Sequence, residues 1–398
     1  MKFLLIYVPN LRFSNPYKLR KVRLGDICTI TGGYAFDSHK MKQQGEYQII
    51  KMGNLYNGIF DLSRNQSFIN APTKKELEYL IQKNDILITL TGTTNKKDYG
   101  YTVQIEKPKK LLLNQRCALI RASKVNEKYL FYLLNSNDFL KQFYASSTGG
   151  TGNQTNVSIN DMLDFKVYIS NENDQLKISN ILNALDKKIS TQIKIIDDLI
   201  LQKKYIIYSL LEAIQDNEKI MLKDLLFDYN VKTTINNEYP VLSSTASGMY
   251  LQTEYFNKEA ASDNTTGYKI IPRGYCTYRS MSNTGLFTFN IQNLVEKGIV
   301  SPAYPVFSAN NYSNEFIILY LNNASYIKKQ ILELKSGGTR FALPFSTLGT
   351  LKIPKLEKEK QLSFIKTITA FERKIKNEEK ILNDLHKQKN YLLNNMFI

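Results

Sequence analysis

A chain of 398 residues is long enough for two or three domains with a substantial buried core, and its 43% hydrophobic content is that of an ordinary globular protein. Lys and Arg total 53 against 36 for Asp and Glu. The net charge of +17 favours a polyanionic partner, nucleic acid or an acidic membrane surface, unless AT-rich coding alone has enriched Lys, Asn and Ile. Three scattered cysteines (Cys28, Cys117, Cys276) and two histidines (His39, His386) exclude a disulfide framework, a CxxC zinc site and a His-based centre or triad, and fit a reducing cytoplasm.

The opening stretch, MKFLLIYVPN, holds an apolar run too short for a signal peptide and lacks a small-residue cleavage site; it is expected to enter the first domain as a strand. Over 22–170, the short runs "ICTITGG", "YQIIKMG", "DILITLTG", "YTVQIEK" and "CALIRAS" read as strands broken by turns. "YLFYLLNSNDFLKQF" then shows helical spacing, so the region is expected to be an α+β domain. Residues 174–211 contain no Gly or Pro, and Ile178, Leu182, Leu185, Ile189, Ile196 and Leu199 step alternately by four and three, a heptad seam. "YIIYSLLEAI" within this region is too short to span a membrane and belongs to the same helix. The second half repeats the plan with "YPVLSST", "YKIIPRG", "YCTYRS" and "LFTFNI". It ends in a second seam of Phe364, Ile368, Phe371, Ile375, Leu382 and Leu385. Polar residues interrupt the seams at equivalent places, Gln192 and Lys203, then Glu378 and Lys389. Such residues fix register, although a single lysine is better explained by a snorkelling side chain.

These are two copies of one unit. Gly149-Gly150-Thr151 returns as Gly337-Gly338-Thr339, and "YLFYLLNSNDFLKQF" returns as "IILYLNNASYIKKQI". Gln175-Leu176 returns as Gln361-Leu362, after which the register holds through Lys188-Ile189/Lys374-Ile375 to Tyr205/Tyr391. The expected boundaries are 1–170, 171–214, 215–355 and 356–398. Tandem copies closing on a pseudo-two-fold axis would place the two helices antiparallel, as a rod of roughly 50 Å with one globular half at each end, longer than one turn of DNA.

The glycine-rich loop is no phosphate-cradling Walker loop, because it lacks the GK[ST] that would reach the phosphates. It belongs instead to a set of polar loops suited to base edges and phosphates. In the first half the candidates are Tyr34, Ser38 and Lys40; Thr93, Lys96, Lys97 and Tyr99; and Thr151, Asn153, Gln154 and Asn156. In the second they are Ser244, Thr245 and Tyr250; Arg279, Ser280, Ser282 and Asn283; and Lys335, Thr339 and Arg340. Each residue alone is also what any surface turn contains; the paired set on a basic duplicated chain favours recognition. No nucleophile, metal or nucleotide constellation stands out. "SNPY" at Ser14 lacks the second proline of an adenine-methyltransferase motif, and "LEKEK" at Leu356 lacks the upstream Asp of a nuclease.

In this order, "VPNLRF", "LGDI", "LLLNQRCALIR", the GGT loops, "ENDQLKISNILNALDKKI" and "VSPAYPVF" resemble the specificity subunit of a type I restriction–modification system across essentially the whole chain. The second helix start, "LEKEKQLSFI", departs from the family's proline-and-Gln pattern. The resemblance implies two α/β target-recognition domains, each reading one half of a split DNA site, separated by two antiparallel coiled-coil helices. It implies a non-catalytic, cytoplasmic chain without its own cofactor. Two modification subunits would carry S-adenosylmethionine, and restriction subunits using ATP and Mg could join them. Other readings of the residues are a coiled-coil scaffold or general nucleic-acid-binding protein, or a self-contained methyltransferase.

Overall fold

The computed structural model describes residues 19–149, 153–255, 264–334 and 341–397. The chain divides into two compact units, Met1–Ile193 with Lys380–Ile398, and Lys194–Glu379. The division falls within two long helices, Glu172–Glu212 of 41 residues and Lys358–Met396 of 39. The expected N-terminal strand lies outside the described residues.

In the first unit an antiparallel sheet has the order Cys28–Gly32, Cys117–Ala122, Ile86–Thr89, Thr102–Gln104. Ile86–Thr89 is central and buried throughout, which explains its unbroken apolar run. A second sheet pairs Tyr47–Ile50 antiparallel to Phe68–Ile69 and parallel to Leu111–Leu113. Arg20–Arg23 pairs with Lys166–Ile169 where the domain meets the long helix. Helices Glu127–Leu133 and Asn137–Ala145 start at Asn126 and Ser136, whose side chains accept from the amides of Tyr129 and Phe139. Tyr129, Tyr132, Phe139 and Phe143 are buried in a core shared with Ile178 and Leu182 of the first long helix and Leu393, Met396 and Phe397 at the end of the chain.

The second unit repeats this order of strands: Leu226–Asp228, Val306–Ala309, Cys276–Tyr278, Phe289–Ile291. Lys219–Met221 pairs with Lys352–Pro354 as Arg20–Arg23 does with Lys166–Ile169. Helices Asn314–Asn323 and Ser325–Glu333 follow, and their core takes in Ile207, Leu211 and Ile368 of the long helices. The units differ beside the main sheet. Here the chain forms two separate antiparallel pairs, Leu242–Thr245 with Gly248–Leu251 and Lys269–Pro272 with Lys297–Val300.

Within each unit the long helices run antiparallel. In the first, Ile178 and Leu182 share a core with Leu393 and Met396, and further along Lys389 Nζ meets Asp186 at 2.6 Å. In the second, Lys203 Nζ meets Glu372 at 3.3 Å, and Ile207 and Leu211 share a core with Ile368. Ile178, Leu182, Leu185, Ile189, Ile196 and Leu199 are buried, with Gln192 buried among them. On the second helix Ile368 is buried, whereas Phe364, Phe371, Ile375, Leu382 and Leu385 are half-buried. Lys203 and Lys389 do not simply snorkel: each reaches a carboxylate on the opposite helix.

Glutamines tie each domain to its helix in the same way twice. Gln175 accepts from the Asn126 amide at 2.9 Å and donates to the Ser170 carbonyl at 2.8 Å. Gln361 accepts from the Ser313 amide at 2.9 Å and donates to the Leu356 carbonyl at 2.7 Å. Gln142 exchanges two bonds with Lys166, and Gln330 two with Lys352. These side chains satisfy backbone groups at helix starts and strand ends that otherwise lack partners.

Candidate nucleic-acid interface

Each unit carries a polar cleft at the same place in its fold. In the first unit, Ile86–Thr89 leads into a short strand, Thr91–Thr93, which pairs with Gln154–Asn156 after the glycine loop. In the second, Cys276–Tyr278 leads into Met281–Ser282, which pairs with Phe341–Ala342.

The first cleft, of about 340 Å³, is lined by Met52, Gly53, Tyr56, Thr89, Thr91, Gly92, Thr93, Asp98, Tyr101, Arg116 and Gln154. Gly92 is required here, since a Cβ would lie 2.3 Å from the Tyr99 ring and 2.5 Å from the Asp98 carboxylate. Asp98 accepts from the Thr93 amide at 2.8 Å and the Thr93 hydroxyl at 2.7 Å. These bonds hold its carboxyl below the usual carboxylate range. The rings of Tyr56 and Tyr101 meet edge to face, 5.7 Å between centroids.

Of the residues expected from the sequence, Thr93 and Gln154 line this cleft. Asn153, Lys96 and Lys97 are exposed on the neighbouring loops and Asn156 is exposed at the end of the strand Gln154–Asn156, and Lys97 Nζ sits 5.3 Å from the centre of the Tyr144 ring. Tyr99, expected at the surface, is buried instead, with its ring against Phe143 and Tyr144. Tyr34 does not line the cleft either; its ring lies half-buried against Phe36 and Tyr79. Ser38 and Lys40 are exposed in a short turn and are not among the lining residues. Thr151 lies outside the described residues. Tyr56, Asp98, Tyr101 and Arg116 were not anticipated.

The second cleft, of about 500 Å³, gathers the expected Ser244, Thr245, Arg279, Ser282 and Asn283 with Ser243, Ala246, Met281, Leu286, Phe287, Thr288 and Tyr304. Its floor is fixed by Asn290, which donates to Ser244 Oγ at 2.8 Å and to the Thr245 carbonyl at 2.9 Å. The Thr245 hydroxyl donates to the Gly248 carbonyl, and the Ser282 hydroxyl accepts from the Thr284 amide. Ser280 is turned to structure, donating to the Ala303 carbonyl at 2.9 Å, and the Tyr250 hydroxyl donates to the Ser247 carbonyl of its own hairpin. Lys335, Thr339 and Arg340 lie outside the described residues. Tyr304, on the turn "SPAYP", and Phe287 are aromatic lining residues outside the polar loops that the sequence singles out.

The three thiols are buried and free, and burial pushes Cys28 and Cys117 up to about 12 and raises Cys276. Among the described residues, no helix is long and apolar enough to cross a membrane.

Residues 16–199 match the family model of the type I restriction modification DNA specificity domain. No curated protein matches the chain. Among solved structures, the type I restriction–modification S subunit from M. genitalium is 16% identical with a TM-score of 0.55, over 98% of this chain and 99% of that one. A chain from a structure described as the structural basis of complex assembly and conformational transition of the type I R-M system is 14% identical with a TM-score of 0.58, over 96% and 98%. At such identities the likeness establishes the fold, which runs the length of the chain. Residues 16–199 thus carry a match to the type I restriction modification DNA specificity domain, and the main-sheet strand order of that region is repeated in the second unit.

Proposed function

We propose that each cleft reads one half of a bipartite duplex site, and that the long helices set the number of unread base pairs between the halves. The observation that carries this is the duplicated cleft: the same fold position, stocked with Arg116, Asp98 and Gln154 in one unit and Arg279, Ser282, Asn283 and Tyr304 in the other. A repeated frame with unlike contact residues suits the reading of two different short sequences. The net charge of +17 supplies the sequence-independent attraction to phosphates.

The chemistry falls to partners. Two modification subunits bring S-adenosylmethionine and methylate adenine, and restriction subunits with ATP and Mg join them. Two copies of one partner are favoured by exposed apolar residues that recur at repeat-equivalent helix positions: Leu176 and Leu362, Ile195 and Ile381, Tyr205 and Tyr391.

The test is binding to a randomised duplex pool by the chain with its modification subunits, at several salt concentrations. Two short fixed blocks with an unread gap are expected. Contact with about six phosphates would give a log–log salt slope of about −5. Binding without sequence preference would contradict the reading.

A further inference from the structure

Arg116 follows the strand Leu111–Leu113 with φ of +70°, a left-handed conformation uncommon for a residue with a long side chain. Backbone hydrogen bonds on every side hold it there. Its carbonyl accepts from the Leu90 amide at 2.9 Å, the Asn114 amide donates to the Ile50 carbonyl at 3.0 Å, and the Gln115 amide donates to the Tyr34 carbonyl at 2.9 Å. The Gly33 amide donates to the Cys117 carbonyl at 2.9 Å. Gly33 permits this closeness: a Cβ there would stand 2.0 Å from the Asn114 carbonyl oxygen. Strain that the surroundings over-determine is found where a side chain must be aimed. The Arg116 side chain lines the first cleft, and among the described residues it has no ion-pair partner.

Asp98 lines the same cleft. Its oxygens each take one bond from Thr93, leaving each a further lone pair. An ionised carboxylate in the cleft repels a phosphate backbone, but it suits a base edge that offers a donor. A G·C pair shows in its major groove two acceptors on guanine, O6 and N7, beside one donor on cytosine, N4. An arginine fork and a carboxylate complement that pattern, and no other base pair presents it. We propose that Arg116 and Asp98 are specificity-determining residues that together read one G·C pair of the first half-site, Arg116 at guanine O6 and N7 and Asp98 at cytosine N4. This rests on the reading of the chain as a bipartite DNA reader.

The experiment is selection from a randomised duplex pool by the full chain with its modification subunits, comparing the native chain with Arg116→Gly, Arg116→Lys and Asp98→Asn. Glycine relieves the backbone strain, and lysine keeps the charge but not the fork. The native chain is expected to fix a G·C pair in one half-site. Arg116→Gly and Arg116→Lys should each lower the preference for that pair roughly tenfold or more, and Asp98→Asn should lower it through the cytosine. The other half-site, still selected at full strength, shows that the chain has folded. Equal weakening on all duplexes would make Arg116 a phosphate contact and overturn the proposal, as would a first half-site with no fixed G·C pair or an unchanged preference. If the native chain selects no half-site at all, it is the bipartite reading that fails.

Discussion

The two units share a frame and differ in what the frame holds. The main sheets have the same strand order, the glutamines at 142 and 175 recur at 330 and 361 with equivalent backbone partners, and a lysine–carboxylate pair crosses between the helices in each unit. Beside the sheet the resemblance ends. The first unit pairs Tyr47–Ile50 in parallel with Leu111–Leu113, where the second builds two antiparallel pairs. The cleft arginine comes from a strained turn in one unit, Arg116, and from the end of a central strand in the other, Arg279. Buried hydrogen bonds tolerate little change, whereas cleft residues facing solvent can change without loss of the fold. A duplicated fold can therefore diverge in its clefts while keeping how they are held.

The strongest way to break the comparison is to alter the frame in both units together. Inserting one heptad into each long helix adds about 10 Å, close to three base pairs. Recognition of the native-spaced site should fall by roughly a thousandfold, towards non-specific binding, and a site with a longer gap should take its place in a selection. Unchanged spacing would refute the ruler. Next in size, Arg279→Ala should relax the second half-site alone by roughly tenfold or more, leaving the first untouched; equal losses at both would mean that the clefts do not read independently.

Smaller effects sharpen the likeness of the frames. Gln361→Ala strands a buried amide and a carbonyl, and Gln175→Ala does the same in the first unit. Each should cost about 1–3 kcal/mol in denaturant unfolding, and a difference of more than about 1 kcal/mol between them would show that the joints are not equivalent. The ion pairs should part company. Asp186 also accepts from the Tyr132 hydroxyl at 2.8 Å, so Asp186→Ala leaves two groups without a partner and should cost about 1–3 kcal/mol. Glu372 is 56% exposed and Glu372→Ala should cost less than about 1 kcal/mol. Double-mutant cycles with Lys389 and Lys203 measure each coupling.

Much of the frame was legible because repetition and heptad spacing are written in residue types. Lys203 and Lys389 stood out as breaks in the seams, but their acids Glu372 and Asp186 could not be matched to them without the pairing of the helices. The second cleft was legible because its polar residues cluster in two short loops that the fold brings together. The first was less so. Tyr99 sits in a polar loop, yet its ring is buried against Phe143, and nothing local in sequence marks that. Arg116 hid in "LLLNQRCALIR", a stretch that reads as a buried strand, because a left-handed turn leaves no mark when its residue is neither glycine nor asparagine.

Methylation sequencing of cells that express this chain with its modification subunit tests the central claim most directly. The account predicts methylated adenine within a new motif of two fixed blocks around a gap of constant length. A single unbroken motif, or a methylation pattern that does not change when this chain is exchanged for one with different clefts, would contradict it.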